Sequence, residues 1–384
     1  AHYLKQFHAA YADEAALSAM VEAERARNWA QLHNSRDEMY DFDVPDLPTL
    51  QPWINLNERN NQRYDLVRNP FFHRIDARGV QLPYIDEVEV TVVAGGLITA
   101  RLAQGEADLQ VRGIGFSDTA VLKAGEDSGG YTTHLWISGV GSEIALYPNL
   151  NYEEPALRAL LRDRRFRRAM SLGIDRRAIS ESLYFGLAKT RTVSPLEQSP
   201  FFDPALAEAP FDPDEANRLL DELGLTARAS DGTRLLPSGQ RLDIVAESAG
   251  ERQEESDALE LVAEMWRGIG INLIHRPLDR DILRNLAYRG AAMMPVWSAW
   301  NNGIPTTAYP PEEQTPVRQD TFTWPKWGQH FQTKGQAGEP PDTDAGIRLL
   351  ELYHDWLGAT REAGRAAAWQ EILDIHAREE FVIG

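Results

Sequence analysis

Residues 241–278 read RLDIVAESAGERQEESDALELVAEMWRGIGINLIHRPL, and this stretch decides the fold class. RLDIVAES and INLIHRPL are strand-like runs flanking SDALELVAEMWRGIG, which reads as a helix. Strand, helix and strand in that order predict a βαβ unit and therefore an α/β sheet. Upstream, FDPDEANRLLDELG (211–224) carries a helix-start signal: Asp212 as N-cap, Pro213 at the first helical position and Gly224 at the end. Downstream, two helices are expected, from Asp344 to Trp356 and from Arg361 to Arg378, followed by a strand-like FVIG.

Further upstream, RDRRFRRAMSLGIDRRAISESLYFG (162–186) looks at first like an anion-binding patch. Phe166, Met170 and Ile174 recur every four positions, so they form an apolar stripe with arginines on the remaining faces. Arg164, Arg165, Arg167 and Arg168 are then expected to be solvated or paired, with Asp163 and Asp175 offsetting part of their charge.

The N-terminal part is mixed. AYADEAALSAMVEAERARNWAQLH (10–33) has helical spacing, with Ala16, Met20 and Val21 in line with Trp29. From Asp41 prolines at 45, 48 and 52 break the pattern, and WINLNERNNQRYDLV (53–67) reads as a β-hairpin. In NPFFHRIDARGVQLPYIDEVEV (69–90) the Asn-Pro, Ala-Arg-Gly and Leu-Pro-Tyr steps are turns, and Val88, Val90 and Val92 alternate as a strand. After Gly95-Gly96, LITARLAQGEAD reads as a short helix and LQVRG as a returning strand, a second βαβ unit, with YTTHLWIS (131–138) as a further strand.

Composition excludes several functions. The 384 residues hold 39 Lys and Arg against 58 Asp and Glu, a net charge of −19 that repels polyanions and argues against nucleic acid as a partner. Cysteine is absent, which removes thiolate metal sites, iron–sulfur clusters and cysteine nucleophiles. No apolar run reaches the roughly 18 residues needed to span a bilayer. The histidines show no HExxH spacing, so neither a metal site nor a cofactor is expected; His134 and His376 read as ordinary surface or satisfied core residues. GxSxG and complete phosphate-binding glycine motifs are missing, and nothing in the spacing singles out a catalytic carboxylate pair.

One segment stands apart. Residues 297–327, WSAWNNGIPTTAYPPEEQTPVRQDTFTWPKW, place four tryptophans, a tyrosine, two adjacent asparagines and repeated prolines in a stretch without helical period. Indole faces beside amide side chains suit a ligand with apolar faces and hydroxyl or amide edges, a sugar or a peptide. Trp297, Trp300, Asn301, Asn302, Tyr309, Trp324 and Trp327 are the candidate ligand-binding residues. The plainer reading is that the tryptophans pin a long loop, and prolines at 316 and 325 could make Trp324 and Trp327 core anchors.

The 69–90 block, then LAQGEADLQ, DRRFRRAMSLGIDRRAI, FDPDEANRLLDELG and WRGIGINL follow one another in an order that resembles the family 5 extracellular solute-binding proteins of ABC importers. The resemblance implies an α/β, periplasmic-binding-protein-like fold of the two-lobed type II kind. Residues 1–155 would be a partial first lobe with a hinge-side sheet, and 156–384 the second α/β lobe. The family's signal peptide, first strands, extra domain and C-terminal return to the first lobe have no counterpart here, so a fragment of a longer protein is expected. The implied function is non-catalytic capture of an oligopeptide or oligosaccharide between the lobes and its delivery to an ABC permease. The implied location is periplasmic or extracellular, with a lipid anchor in a Gram-positive source. Peptide-binding members place an aspartate just after a tryptophan where this chain has Asn301 and Asn302, which favours a neutral oligosaccharide, because a buried ammonium without a carboxylate is costly. The alternatives are a carbohydrate-active enzyme with a carboxylate pair, and a structural or interaction domain.

Overall fold

The computed structural model describes residues 2–38, 44, 46–57 and 61–384. Asp41 and Pro45, where the N-terminal pattern was expected to break, and residues 58–60 at the hairpin tip lie outside the described residues. The chain divides into two compact units, Ala1–Ile114 with Asp127–Tyr131, and Gly115–Glu126 with Thr132–Gly384.

In the first unit the expected long amphipathic run is two helices, α1 (Glu14–Ala23) and α2 (Trp29–Arg36), separated where Arg25 adopts φ +53°. Asp13 and Asn28 cap them, each side chain accepting from a backbone N–H three residues on at 2.9 Å. The break turns Leu32 back onto Leu17 and Phe7, so the buried face is Leu17 with half-buried Met20 and Val21, while Ala16 is exposed and Trp29 is 36% exposed. Strands β1 (Trp53–Asn55), β2 (Arg63–Arg68) and β3 (Glu87–Thr91) form an antiparallel meander in the order β1-β2-β3, with Ile54 opposite Val67 and Leu66 opposite Val88.

Asn69 ties this sheet to the preceding chain. Its amide donates to the carbonyls of Thr49 and Gln51 at 3.1 and 2.9 Å while its oxygen accepts from Phe71 N–H. Asp76 plays the same part in the next turn, accepting from Arg78 N–H, Val80 N–H and the Tyr84 hydroxyl. Chiefly the Tyr84 bond, then the Val80 one, holds its carboxyl down to about 2.

Helix α3 (Gly95–Ala103) follows, but the expected βαβ unit is corrected. Neither LQVRG nor YTTHLWIS forms a strand, and His134 sits exposed outside any strand. Alternation is a property of a segment, whereas a strand exists through its ladder. Leu109, Val111, Leu135, Trp136 and Ile137 are exposed, with no described sheet at hand to cover them. Helix α4 spans Thr119–Gly129.

The second unit carries the α/β sheet. Besides α4 up to Glu126, its elements are β4 (Ser142–Leu146), α5 (Pro155–Arg162), α6 (Arg164–Leu172), α7 (Arg176–Tyr184), α8 (Pro213–Glu222), β5 (Asp243–Ser248), α9 (Gln253–Gly268), β6 (Asn272–Pro277), α10 (Arg280–Tyr288), β7 (Met294–Ala299), α11 (Pro325–Gln332), α12 (Asp344–Gly358) and α13 (Glu362–Glu379). The strand order is β4-β7-β5-β6, with β5 parallel to both β6 and β7 and β4 antiparallel to β7. The βαβ unit is therefore β5-α9-β6, as the sequence predicts, and the FVIG tail pairs through Ile383 with Leu146.

Helices cover both faces of the sheet. Phe166, Met170, Leu220, Ile244, Leu259 and Trp266 form one core, and Trp300, Trp324, Trp327, Trp356, Trp369 and Ile372 form the other. The period of two in a strand divides neighbours between them: Leu146 packs in the first and Ala145 in the second. In α6 the Phe166–Met170 stripe and the following Ile174 are buried, and Arg165 and Arg168 pair with Asp163 and Glu380. Arg167 departs from the expected solvated face. It is 1% exposed and donates to the Glu379 carbonyl and carboxylate and to the Leu161 carbonyl at 2.8–3.0 Å.

Candidate ligand site at the strand ends

Three parallel strands deliver their carboxyl ends to one place. After Ser248, β5 turns through Ala249–Arg252 into α9; after Pro277, β6 reaches α10, which starts at Arg280; β7 ends at Trp297, Ser298 and Ala299. In open α/β sheets ligands bind in the crevice outside the carboxyl ends of the strands. A cavity of about 120 Å³ lies there, lined by Glu251, Arg252, Glu255, Arg280, Trp297 and Ser298 with Ala249.

Local chemistry sets each side chain. Asp279 caps α10 by accepting from Asp281 N–H at 2.9 Å, which places Arg280 at the helix start. The Arg280 guanidinium lies over the Trp297 indole, 5.1 Å from the ring centre, and both oxygens of Glu251 hold it there, one at 2.8 Å. Arg252 reaches the carbonyl and carboxylate of Glu143 at 3.1 and 3.2 Å. Glu255 is buried, and that burial pushes its carboxyl up, against the opposing pull of Arg252. Behind the cavity Ser248 Oγ bonds His275 Nε2 at 2.8 Å. Two arginines face two glutamates, so the formal charges of the lining cancel. The arrangement offers the part of the Trp297 indole that Arg280 and Phe322 leave uncovered, with polar edges, inside a neutral setting, a chemistry for binding. Among the described residues no group of His, Asp or Glu is placed to hold a metal.

The seven residues proposed from the sequence do not form one surface. Trp297 lies on β7 rather than in a loop, half-buried, and lines the cavity. Trp300 is 5% exposed with φ +48° and meets the buried His376 ring edge-on at 5.6 Å. Trp324 and Trp327 are buried and stacked 6.1 Å apart, because Pro325 starts α11 and carries both indoles into the second core. Asn301 is exposed and donates to the Glu313 carboxylate; Asn302 closes its own turn by accepting from Ile304 N–H at 3.0 Å. Tyr309 is half-buried at the margin of the second core, its phenol pushed up by burial and its carbonyl accepting from Trp369 Nε1.

Glu251, Arg252, Glu255 and Arg280 escaped the sequence reading. Their signal was positional: each follows closely on a run that reads as a strand of the βαβ unit.

Similarity to known proteins agrees with this architecture. The family model of bacterial extracellular solute-binding proteins, family 5 Middle, matches residues 6–316. The periplasmic alpha-galactoside-binding protein of Rhizobium meliloti (strain 1021) is 24% identical over 265 residues, and a probable ABC transporter-binding protein of Deinococcus radiodurans is 25% identical over 233. These alignments cover 64% and 59% of this chain but only 38% and 39% of those proteins. Among solved structures, an oligopeptide-binding protein OppA is 31% identical with a TM-score of 0.66, covering all of this chain and 63% of that one. The periplasmic binding protein MelB of Agrobacterium fabrum C58, solved with stachyose, has a TM-score of 0.71 at 19% identity, covering all of this chain and 56% of its own, a likeness of fold.

Proposed function

The chain belongs to the bacterial extracellular solute-binding proteins of family 5, and from that premise we propose that it is the ligand-recognising part of an ABC importer's substrate-binding subunit. The family binds solutes rather than transforming them, and the fold is that of its two-lobed members. The ligand proposed is a neutral oligosaccharide, with an oligopeptide second. The observation that carries this reading is the indole of Trp297 at the carboxyl ends of β5, β6 and β7, in a cavity whose arginines and glutamates balance. Glu251 is engaged by Arg280 and Glu255 is buried with its carboxyl pushed up, so neither stands ready to receive a peptide ammonium. The alpha-galactoside-binding and stachyose-bound relatives support the saccharide, and the likeness to OppA supports the peptide.

Within this reading Trp297 contacts ligand at the strand ends, Asn301, Asn302 and Tyr309 are proposed as contacts apart from that cavity, and Trp300, Trp324 and Trp327 act from the core. The lobes are proposed as 1–155 and 156–384. They close because a ligand touching both is bound more tightly in the closed state. Delivery to a membrane permease, a periplasmic or extracellular location and a lipid anchor in a Gram-positive source are proposed on the same basis.

Calorimetric titration of wild type and Trp297→Ala with stachyose and with an oligopeptide mixture tests the proposal. Wild type should bind the saccharide and return it chemically unchanged, and the variant should lose binding while still folded, with a smaller fall in melting temperature than Trp300→Ala shows. Hydrolysed saccharide would favour a carbohydrate-active enzyme instead, and equal binding by the variant would remove Trp297 from the site.

A further inference from the structure

The strand-end cavity, at about 120 Å³, is smaller than the roughly 300 Å³ at which small-molecule sites begin. A ligand ring therefore enters only if part of the lining moves. Most of the lining is fixed. Ser298 lies on β7, its carbonyl accepting from the Tyr147 hydroxyl at 2.8 Å, and Ala249 has no side-chain rotamer to change. Glu255 is buried on α9, and Phe322 backs the Trp297 ring at 6.2 Å. Arg252 is tied at two points to Glu143.

Arg280 is placed differently. Its guanidinium covers the Trp297 indole 5.1 Å from the ring centre, the place that a flat ligand face would need. Among the described residues, every hydrogen bond of its side chain goes to the Glu251 carboxylate. The two side chains are 39% and 45% exposed, and an ion pair so open to water resists displacement only weakly. Arg280 is also the first residue of α10, where the helix dipole is positive and disfavours a cation, although Asp279 and Asp281 offset part of that. Its long apolar stem lets the guanidinium turn into solvent while the helix stays in place.

We propose that Arg280 is a gate over the Trp297 indole: it competes with an uncharged ligand for one face of the ring, and the Glu251–Arg280 pair thereby sets how tightly the site binds. The inference rests on the saccharide reading of this cavity. The apparent dissociation constant is then the intrinsic one divided by the fraction of molecules whose indole is uncovered. Removing the guanidinium takes away an exposed cation–π contact and an exposed ion pair, together about tenfold in affinity. Because the gate is charged and the ligand is not, salt acts on the gate alone: screening loosens the pair, and affinity rises. A residue that merely shapes the cavity wall confers no such salt dependence.

The test is calorimetric titration of stachyose and of an oligopeptide mixture into wild type, Arg280→Ala, Glu251→Gln and Arg280→Ala/Trp297→Ala, at about 0.02 and 0.5 M sodium chloride. Arg280→Ala should bind stachyose about tenfold more tightly than wild type at low salt, and equally at both salts. Wild type should gain several-fold from low to high salt. Glu251→Gln should lie between wild type and Arg280→Ala, and the double variant should lose binding, because the gain passes through the indole. Weaker binding by Arg280→Ala at an unchanged melting temperature would make the arginine a ligand contact, and a wild-type affinity indifferent to salt would show that the pair does not compete; either result overturns the proposal. If Arg280→Ala is destabilised, Glu251→Gln decides by the same signs. A gain for oligopeptides and not for stachyose would show that Arg280 screens Glu251 rather than the indole, and would overturn it too. Saccharide binding by none of the proteins at either salt would instead overturn the ligand class on which the inference rests.

Discussion

His376 shows how far a single residue's behaviour departs from its free chemistry. It is buried, its Nε2–H donates to the Gln314 carbonyl at 2.8 Å, and the rings of Trp300, Trp324 and Phe381 surround it. Burial pushes its pKa down to about 4 from an ordinary value near 6.5. The unfolded chain therefore takes up the proton first as pH falls. The stability due to the neutral ring is complete above about 6.5, drains away between there and about 4, and amounts to up to about 3 kcal/mol. Urea midpoints taken from neutral to about pH 4.5 should fall for wild type and fall less for His376→Gln; parallel curves would mean that other groups govern the acid limb. Trp300, beside it, fills core volume from a left-handed backbone position. Trp300→Ala should cost about 3–5 kcal/mol of stability and leave saccharide affinity nearly unchanged, the opposite of the pattern expected for Trp297→Ala.

At the scale of elements, α6 is held by a charge its sequence would place outside. Burial pulls the Arg167 guanidinium down to about 10, opposed by Glu379, and the group also lies over the Phe381 ring at 5.1 Å. Breaking such a pair strands the partner, so Arg167→Met should destabilise by about 3–5 kcal/mol. The double variant Arg167→Met/Glu379→Gln should recover part of that loss in a urea-unfolding cycle; no recovery would assign the cost to the two carbonyls Arg167 serves. Helix α8 depends on its own local signal: Asp212 accepts from Glu215 N–H at 2.9 Å, and Asp212→Ala should cost about 1 kcal/mol with the tertiary fold intact. Asp212, Asn69 and Asp76 act within a few residues, which is why caps and turns were readable from the chain alone.

For the whole molecule, the α/β sheet and both of its cores lie in the second unit. A fragment of residues 115–384 should consequently unfold in urea in one cooperative transition and keep its near-UV circular dichroism; a gradual loss with native-like far-UV signal would show that packing needs the remainder. The sequence by itself determined the β5-α9-β6 unit, the buried stripe of α6, the capped α8, the two closing helices and the hairpin, because period, caps and turns are local. Only the tertiary structure decided which tryptophan lines the cavity and which is core. Trp297 and Trp300 are three residues apart, yet their burial depends on partners such as Arg280 and His376, far away in the chain. It likewise decided that 109–113 and 131–138 are not strands, since a ladder requires a partner that no segment carries within itself. And it assembled a site from three strand ends, whose residues run from Ala249 to Ser298 and converge only because parallel strands share one carboxyl edge.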